Sequence, residues 1–333
     1  MFSNQHQITS TRNKSQGIFY GLVSCFYWGI VFVIPSLLQS FGDLDIVLTR
    51  YTIFGIFSLI TCLTSNPQLL RETPLKLWRT ITLWSLLINP VYYLGITLGI
   101  RYVGSALTVM IAGLAPIAVL CLSNIRQKEL SWILLFIISC ITFIGVVLTH
   151  ISDIHTSTTT IPPLQYIFGI VSAVVSTGLW VIYVIYNQKL LENNPKLSPQ
   201  DLCHLLGITT LIICLPLIIV LDTCRVTHII PILVSHTPMS QRLLFFGLCV
   251  TMGIFSSAQA ITSWNKASLR LSPALLGTML IFEPIFGLIL SYLYSQSLPK
   301  ILESIGIFLM LGGSLLSLIL FGRKINKSQE EAI

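Results

Sequence analysis

One carboxylate stands inside a long apolar run. The stretch "LLGTMLIFEPIFGLILSYLY", residues 275–294, carries Glu283 with Pro284 directly after it. In a membrane span that glutamate sits near the middle of the hydrocarbon, where an ionised group costs on the order of 3 kcal/mol. Such groups usually face a bundle interior or a cavity, where a carboxylate acts as proton carrier or as counter-ion to a cationic ligand. A structural use stays open beside this. Pro284 frees the carbonyl four residues back, and a protonated glutamate can also bond a neighbouring helix. Arg50, in "LTRYTIFGIF", is the candidate opposite charge. Arginines near span ends commonly snorkel to the interface, whereas an inward Arg50 would bind a substrate carboxylate.

Polar and aromatic residues recur at helical spacing. One run offers Ser172, Ser176, Trp180 and Tyr183; others offer Ser24, Tyr27 and Trp28, then Asn89, Tyr92 and Tyr93, then Ser256, Gln259 and Ser263. Unpaired polar groups are costly in hydrocarbon, so these faces should turn inward. Two readings follow. The stripes wall a polar, aromatic cavity suited to a flat ring or a cation, or serine and glycine hold helices together while aromatic rings fill space. Pro116 and Pro284 are the expected kink or gating positions.

Other chemistries find little support. The six histidines show no ligand spacing, and no HExxH, P-loop or Ser/His/Asp pattern occurs. Neither a metal nor a cofactor is expected, and the chain does not read as an enzyme. The eight cysteines lack a CxxC pair and mostly fall in apolar runs, so they are expected as free, structural thiols.

The elements that must position these residues follow from composition. Only 9% of residues are charged and 54% are hydrophobic, against about 25% charged in soluble domains. A polytopic membrane protein follows. Basic residues form no stripe, so nucleic acid is not an expected partner. A span needs about 20 apolar residues, and ten segments qualify: about 17–39, 46–64, 78–99, 104–123, 130–150, 164–186, 202–221, 242–263, 271–293 and 301–322. Only backbone-satisfied helices suit the lipid, so the expected class is all-α. With both termini inside, fourteen of the nineteen Lys and Arg fall on the cytoplasmic side, as the positive-inside rule requires.

Internal similarity divides the chain. "GSALTVMIAGLAPIAVLCLS" laid on "SPALLGTMLIFEPIFGLILS" at an offset of 168 matches seven of twenty positions, including Pro116 with Pro284 and Ser123 with Ser291. The same offset places Gly145 on Gly313. At an offset of 148, Gly21 falls on Gly169 and Ser24 on Ser172. Two five-helix halves are expected. Because five is odd, the second half enters from the opposite face, which gives the inverted repeat of many secondary transporters. The expected organisation is a cytoplasmic tail 1–16, a first repeat 17–150, an external linker 151–163, a second repeat 164–322 and a cytoplasmic tail 323–333.

Five-plus-five spans, a mid-span proline in the fourth helix of each half and "FEP" at 282–284 resemble the EamA-type drug/metabolite transporters. Arg50 resembles that family's arginine near the start of the second span, and Glu129 its glutamate at the end of the fourth. The departure is Ser297, where the family often repeats the glutamate. The resemblance implies transport of small metabolites through a central cavity without ATP hydrolysis, in a bacterial inner membrane. The whole chain also resembles the S-adenosylmethionine/S-adenosylhomocysteine transporters of obligate intracellular bacteria such as chlamydiae. A carboxylate among Trp and Tyr fits that cargo, with its sulfonium, amino-acid head and adenine. The alternative is a proton-coupled amino-acid or drug efflux carrier. The expected substrate contacts are Glu283, Trp28, Tyr27, Trp180, Tyr183, Asn89, Tyr92, Tyr93, Gln259 and Arg50. A small-molecule substrate and membrane lipid are the expected partners, with a homodimer left open.

Overall fold

The computed structural model describes residues 2–38, 40–103, 108, 111–127, 131–154, 161–234, 237–296 and 298–330. Glu129, Ser297, His155 and His236 lie outside the described residues, as do residues 104–107 and 109–110 of the expected fourth span. Among the described residues every regular element is helical. Apart from the short helices Leu69–Glu72 and Ile229–Val234, in chain order they are α1 (Phe2–Leu37), α2 (Asp43–Ser65), α3 (Leu75–Val103), α4 (Ala115–Gln127), α5 (Trp132–Ile154) and α6 (Pro163–Asn193), then α7 (Pro199–Thr223), α8 (Met239–Ser268), α9 (Pro273–Met279), α10 (Phe282–Ser295) and α11 (Ile301–Glu330).

Among the described residues six segments are long and apolar enough to cross a membrane: α2, α3, α6, α7, α8 and the run Leu275–Tyr294 through α9 and α10. Side chains are distributed as lipid demands. Ile133, Phe136, Leu164 and Phe308 are at least 70% exposed, while Ser24, Asn89, Asn187, Thr210, Ser256 and Asn265 are buried at 3% exposure or less. Apolar surface outside and polar groups inside mark a multi-pass membrane protein.

Local sequence sets several helix boundaries. Ser198 accepts from the Asp201 N–H at 3.0 Å while Asp201 Oδ2 accepts from the Ser198 N–H at 3.2 Å, a reciprocal cap ahead of Pro199. Ser272, which accepts from the Leu275 N–H, and Pro273 open α9 without the reciprocal bond. The two polar ends are helical: residues 2–16 continue α1, and 323–330 continue α11. Once a helix is nucleated each further residue adds a bond, so it runs past the apolar stretch.

Four interruptions shape the interior. A π turn at Leu87–Val91 surrounds Pro90, whose missing N–H breaks the α ladder of α3. A second π turn, Met252–Gln259, interrupts α8. The run expected as one span over 271–293 is divided at Leu280–Ile281 into α9 and α10, and a turn at 113–114 likewise precedes α4. Both breaks lie just upstream of Pro116 and Pro284.

The helices pack as α2 on α7, α5 on α11, α3 on α6, α1 on α8, α1 on α10, α4 on α6, α4 on α9, α2 on α8 and α3 on α7. Glycine permits the closest of these approaches. A Cβ on Gly55 of α2 would come to 2.7 Å from Gly207 O and 3.0 Å from Leu211 Cα of α7. Those atoms are backbone and cannot rotate away. Gly55→Val is therefore expected to destabilise the bundle by ~1–3 kcal/mol, read as a lower melting temperature of the detergent-purified protein.

Candidate functional site

The interruptions converge on one cavity, lined as ligand sites usually are by apolar and aromatic side chains with a few polar groups. The π turn of α3 contributes Ile88 and Asn89, and the π turn of α8 contributes Ser256 and Ser257. Trp28 enters from α1, Arg50 and Tyr51 from α2, Tyr92 and Tyr93 from α3, Trp180 and Tyr183 from α6, and Glu283 from α10.

The aromatic side chains form a continuous wall. Tyr92 stacks on Trp180 with ring centres 5.3 Å apart and planes inclined by 27°. Trp28 meets Trp180 edge-on at 4.9 Å, and Trp180 lies 5.8 Å from Tyr183. A second layer supports them: Trp264 behind Trp28 at 5.2 Å and Trp84 behind Tyr183 at 5.8 Å. Offset and edge-to-face contacts hold such rings in place and leave their free faces to the cavity.

Arg50 is 4% exposed and bound on several sides. Its Nε donates to Ser257 Oγ at 3.2 Å and its Nη2 to Ser256 O at 3.4 Å. The guanidinium carbon sits 4.6 Å from the centre of the Tyr93 ring and 4.9 Å from that of Tyr51. The π turn brings both serines to the guanidinium at once. Nη1 is buried and has no hydrogen-bond partner among the described residues. A buried, unsatisfied donor calls for explanation, and here it belongs to a side chain that lines a cavity.

Glu283 lies in the first turn of α10. A carboxylate is stabilised at a helix N-terminus by the aligned peptide dipoles, typically by ~0.3–1 kcal/mol. The break at Leu280–Ile281 thus creates the local field that a mid-membrane acid needs. No ion pair joins Glu283 to Arg50. The cavity therefore presents one cation and one acid, each available to a ligand.

Eight of the ten expected contacts meet here: Trp28, Arg50, Asn89, Tyr92, Tyr93, Trp180, Tyr183 and Glu283. Tyr27 and Gln259 do not line it. Tyr27 is one residue from Trp28, about 100° round the helix, and packs on Phe255 with ring centres 5.8 Å apart. Gln259 is exposed. It closes the π turn, whose wider winding shifts the helical phase, so Ser256 and Ser257 turn inward in place of the Ser256/Gln259/Ser263 face. Ser257 and Tyr51 escaped the sequence reading; the adjacent pairs "SS" and "RY" were the available signals. Asn89 is committed to the frame, donating to Thr210 Oγ1 at 2.6 Å. Pro116 and Pro284 line a smaller adjoining chamber.

Polar ties close both ends of the bundle. At one end Tyr183 Oη donates to Asn187 Oδ1 (3.0 Å), Asn187 Nδ2 to Asn265 Oδ1 (2.9 Å) and Asn265 Nδ2 to Pro199 O (3.0 Å). This buried relay leads from the cavity wall to the start of α7. At the other end Asp43 pairs with Arg101 at 2.5 Å, and the His228 N–H donates to Asp45 Oδ1 at 2.8 Å.

Residues 15–151 match the model of the EamA-like transporter family. The chain is 25% identical over 301 residues to the inner membrane protein YtfF of Escherichia coli (strain K12), covering 89% of this chain and 93% of that protein. A solved crystal structure of a chain 16% identical superposes with a TM-score of 0.70, over 93% of this chain and 98% of the other. At that identity the likeness speaks for the fold.

Proposed function

We propose that this protein is a secondary transporter of the inner membrane and that it binds a zwitterionic organic metabolite between Arg50 and Glu283. The observation that carries this reading is the pair itself: a buried guanidinium with a free Nη1 and a carboxylate, unpaired with each other, in one aromatic-walled cavity. An amino-acid head satisfies both, its carboxylate on Arg50 and its cation on Glu283. Similarity to the EamA-like transporter family and to an inner membrane protein supports the setting.

The carrier architecture in this reading is ten spans in two inverted repeats, 17–150 and 164–322, with both termini cytoplasmic and 151–163 outside. Helix packing supports it. Exchanging α1 with α6, α2 with α7, α3 with α8, α4 with α9–α10 and α5 with α11 returns the nine packed pairs named above. The exchange extends to residues. Gly145 approaches Met310 and Gly313 approaches Thr142, and both Gly145/Gly313 and Thr142/Met310 are separated by the offset of 168. The family match over 15–151 also spans the first repeat. With that orientation the Tyr183–Asn187–Asn265 relay closes the cytoplasmic end.

The specific cargo proposed is S-adenosylmethionine, taken up in exchange for S-adenosylhomocysteine. Both carry the amino-acid head, and their adenine suits the free faces of Trp28 and Trp180. The same dipolar cavity also favours a proton-coupled amino-acid or drug carrier with Glu283 as the proton site. Uptake of labelled S-adenosylmethionine into bacteria expressing the chain separates the two. Saturable uptake, accelerated by internal S-adenosylhomocysteine, is the expected result; uptake no greater than in the empty-vector control sinks the cargo and leaves the amino-acid or drug reading to be assayed.

A further inference from the structure

The two π turns occupy corresponding places in the chain. Asn89, in the turn of α3, and Ser257, in the turn of α8, are separated by the same offset of 168 that lays Pro116 on Pro284. Each reaches across to a neighbouring helix. Asn89 Nδ2 donates to Thr210 Oγ1 of α7 at 2.6 Å, a bond between two uncharged groups. Ser257 Oγ instead accepts from the guanidinium of Arg50 on α2. Gly253 permits this approach: a Cβ there would come to 2.9 Å from Arg50 O, a backbone atom that cannot rotate away.

The junction at α8 is left with donors to spare. Helical hydroxyls commonly donate to the carbonyl four residues back, as those of Thr61, Thr82, Thr177, Thr209 and Ser268 do here. Ser256 does not. The π turn winds i→i+5 and takes that carbonyl out of register, so the buried Ser256 Oγ has no hydrogen-bond partner among the described residues. Ser257 Oγ accepts from Arg50, and its own hydrogen finds no acceptor among the described residues. Arg50 Nη1 is likewise unmatched. The bonds from Arg50 to Ser257 Oγ and Ser256 O fasten these three side chains into one wall of the cavity. Unmatched donors grouped round a cation call for an acceptor with several lone pairs, and a carboxylate offers about four.

We propose that the π turn of α8 is the carboxylate subsite, where the Ser256 and Ser257 hydroxyls donate to the substrate's carboxylate beside Arg50 Nη1. This deepens the transport reading and rests on its placing of the carboxylate at Arg50; the substrate cation stays with Glu283. The serines then select for the acid. An amide of the same shape brings no charge to the guanidinium and replaces an acceptor oxygen by a donating NH2.

L-Phenylalanine and L-phenylalaninamide are the probes, in mildly acidic buffer that keeps both ammonium groups charged. Tryptophan fluorescence of the full-length purified protein is the readout, since Trp28 and Trp180 line the cavity. The wild type is expected to bind the acid more tightly than the amide. Ser256→Ala should weaken the acid about tenfold, or about 1.4 kcal/mol, and the amide by less than about twofold. Ser257→Ala should act in the same direction, and Ser256→Thr, which keeps the hydroxyl, should recover most of the loss. Equal losses for acid and amide overturn the subsite, because they report a disturbed cavity. Arg50→Gln separates the subsite from the reading beneath it. A preference for the acid that is lost in Arg50→Gln and intact in both alanine variants removes the subsite and leaves the carboxylate on Arg50. No preference in the wild type, or one intact in all three variants, removes both.

Discussion

Glu283→Gln is expected to lower substrate uptake about thirtyfold or more while the protein still reaches the membrane. Glutamine keeps the size of the side chain and removes its charge. The substrate cation then enters the cavity with no counter-charge, and removing one partner of a desolvated charged contact costs about 2–5 kcal/mol, with each 1.4 kcal/mol worth a factor of ten. Stability should change little, because among the described residues no hydrogen bond or ion pair holds the Glu283 carboxylate to another helix. Initial uptake rates at matched expression, with a melting curve of each purified protein, check both halves of the expectation. Uptake at the wild-type level, or a melting temperature that falls with it, returns Glu283 to a packing role.

Arg50→Gln is expected to be comparably damaging to uptake, for the mirror-image reason. The substrate carboxylate loses the only buried cation among the described residues that line the cavity, again about thirtyfold or more. Its effect on stability is the informative part. Arg50 ties α2 to the π turn of α8 through Ser257 Oγ and Ser256 O, and charge-assisted bonds contribute about 1.5–3 kcal/mol each. Removing the guanidinium also removes the cost of desolvating it, which offsets much of that gain. A melting temperature within a few degrees of wild type, with uptake lost, identifies an anion anchor; a large fall identifies a strut between helices. Arg50→Lys should recover uptake only in part, because an ammonium cannot reproduce the planar fork. A competitor lacking the carboxylate should inhibit wild type and Arg50→Gln alike.

Different levels of this protein were written at different ranges. The membrane class, the all-helical fold and most helix limits follow from composition and local pattern, because in hydrocarbon each backbone polar group must be satisfied within its own segment. The polar inward faces were legible for the same reason. So was the candidacy of Glu283: an acid in an apolar run demands a partner wherever the helix lies.

Phase and convergence belonged to the tertiary structure. Helical spacing put Gln259 on the inner face of α8, but the π turn at Met252–Gln259 turns it outward and brings Ser256 and Ser257 to Arg50. Whether Arg50 snorkels or turns inward was undecidable from a single helix, since both are rotations of one long side chain. The Tyr51 and Tyr93 rings and the two serines settle it, and they come from three different helices. The smaller adjoining chamber has no local signature at all. It exists because two helix breaks, each upstream of its own proline, meet beside Trp180 and Glu283. A sequence fixes what each helix must hide from lipid; only packing decides which hidden groups share a cavity, because that depends on distances between segments that no local pattern encodes.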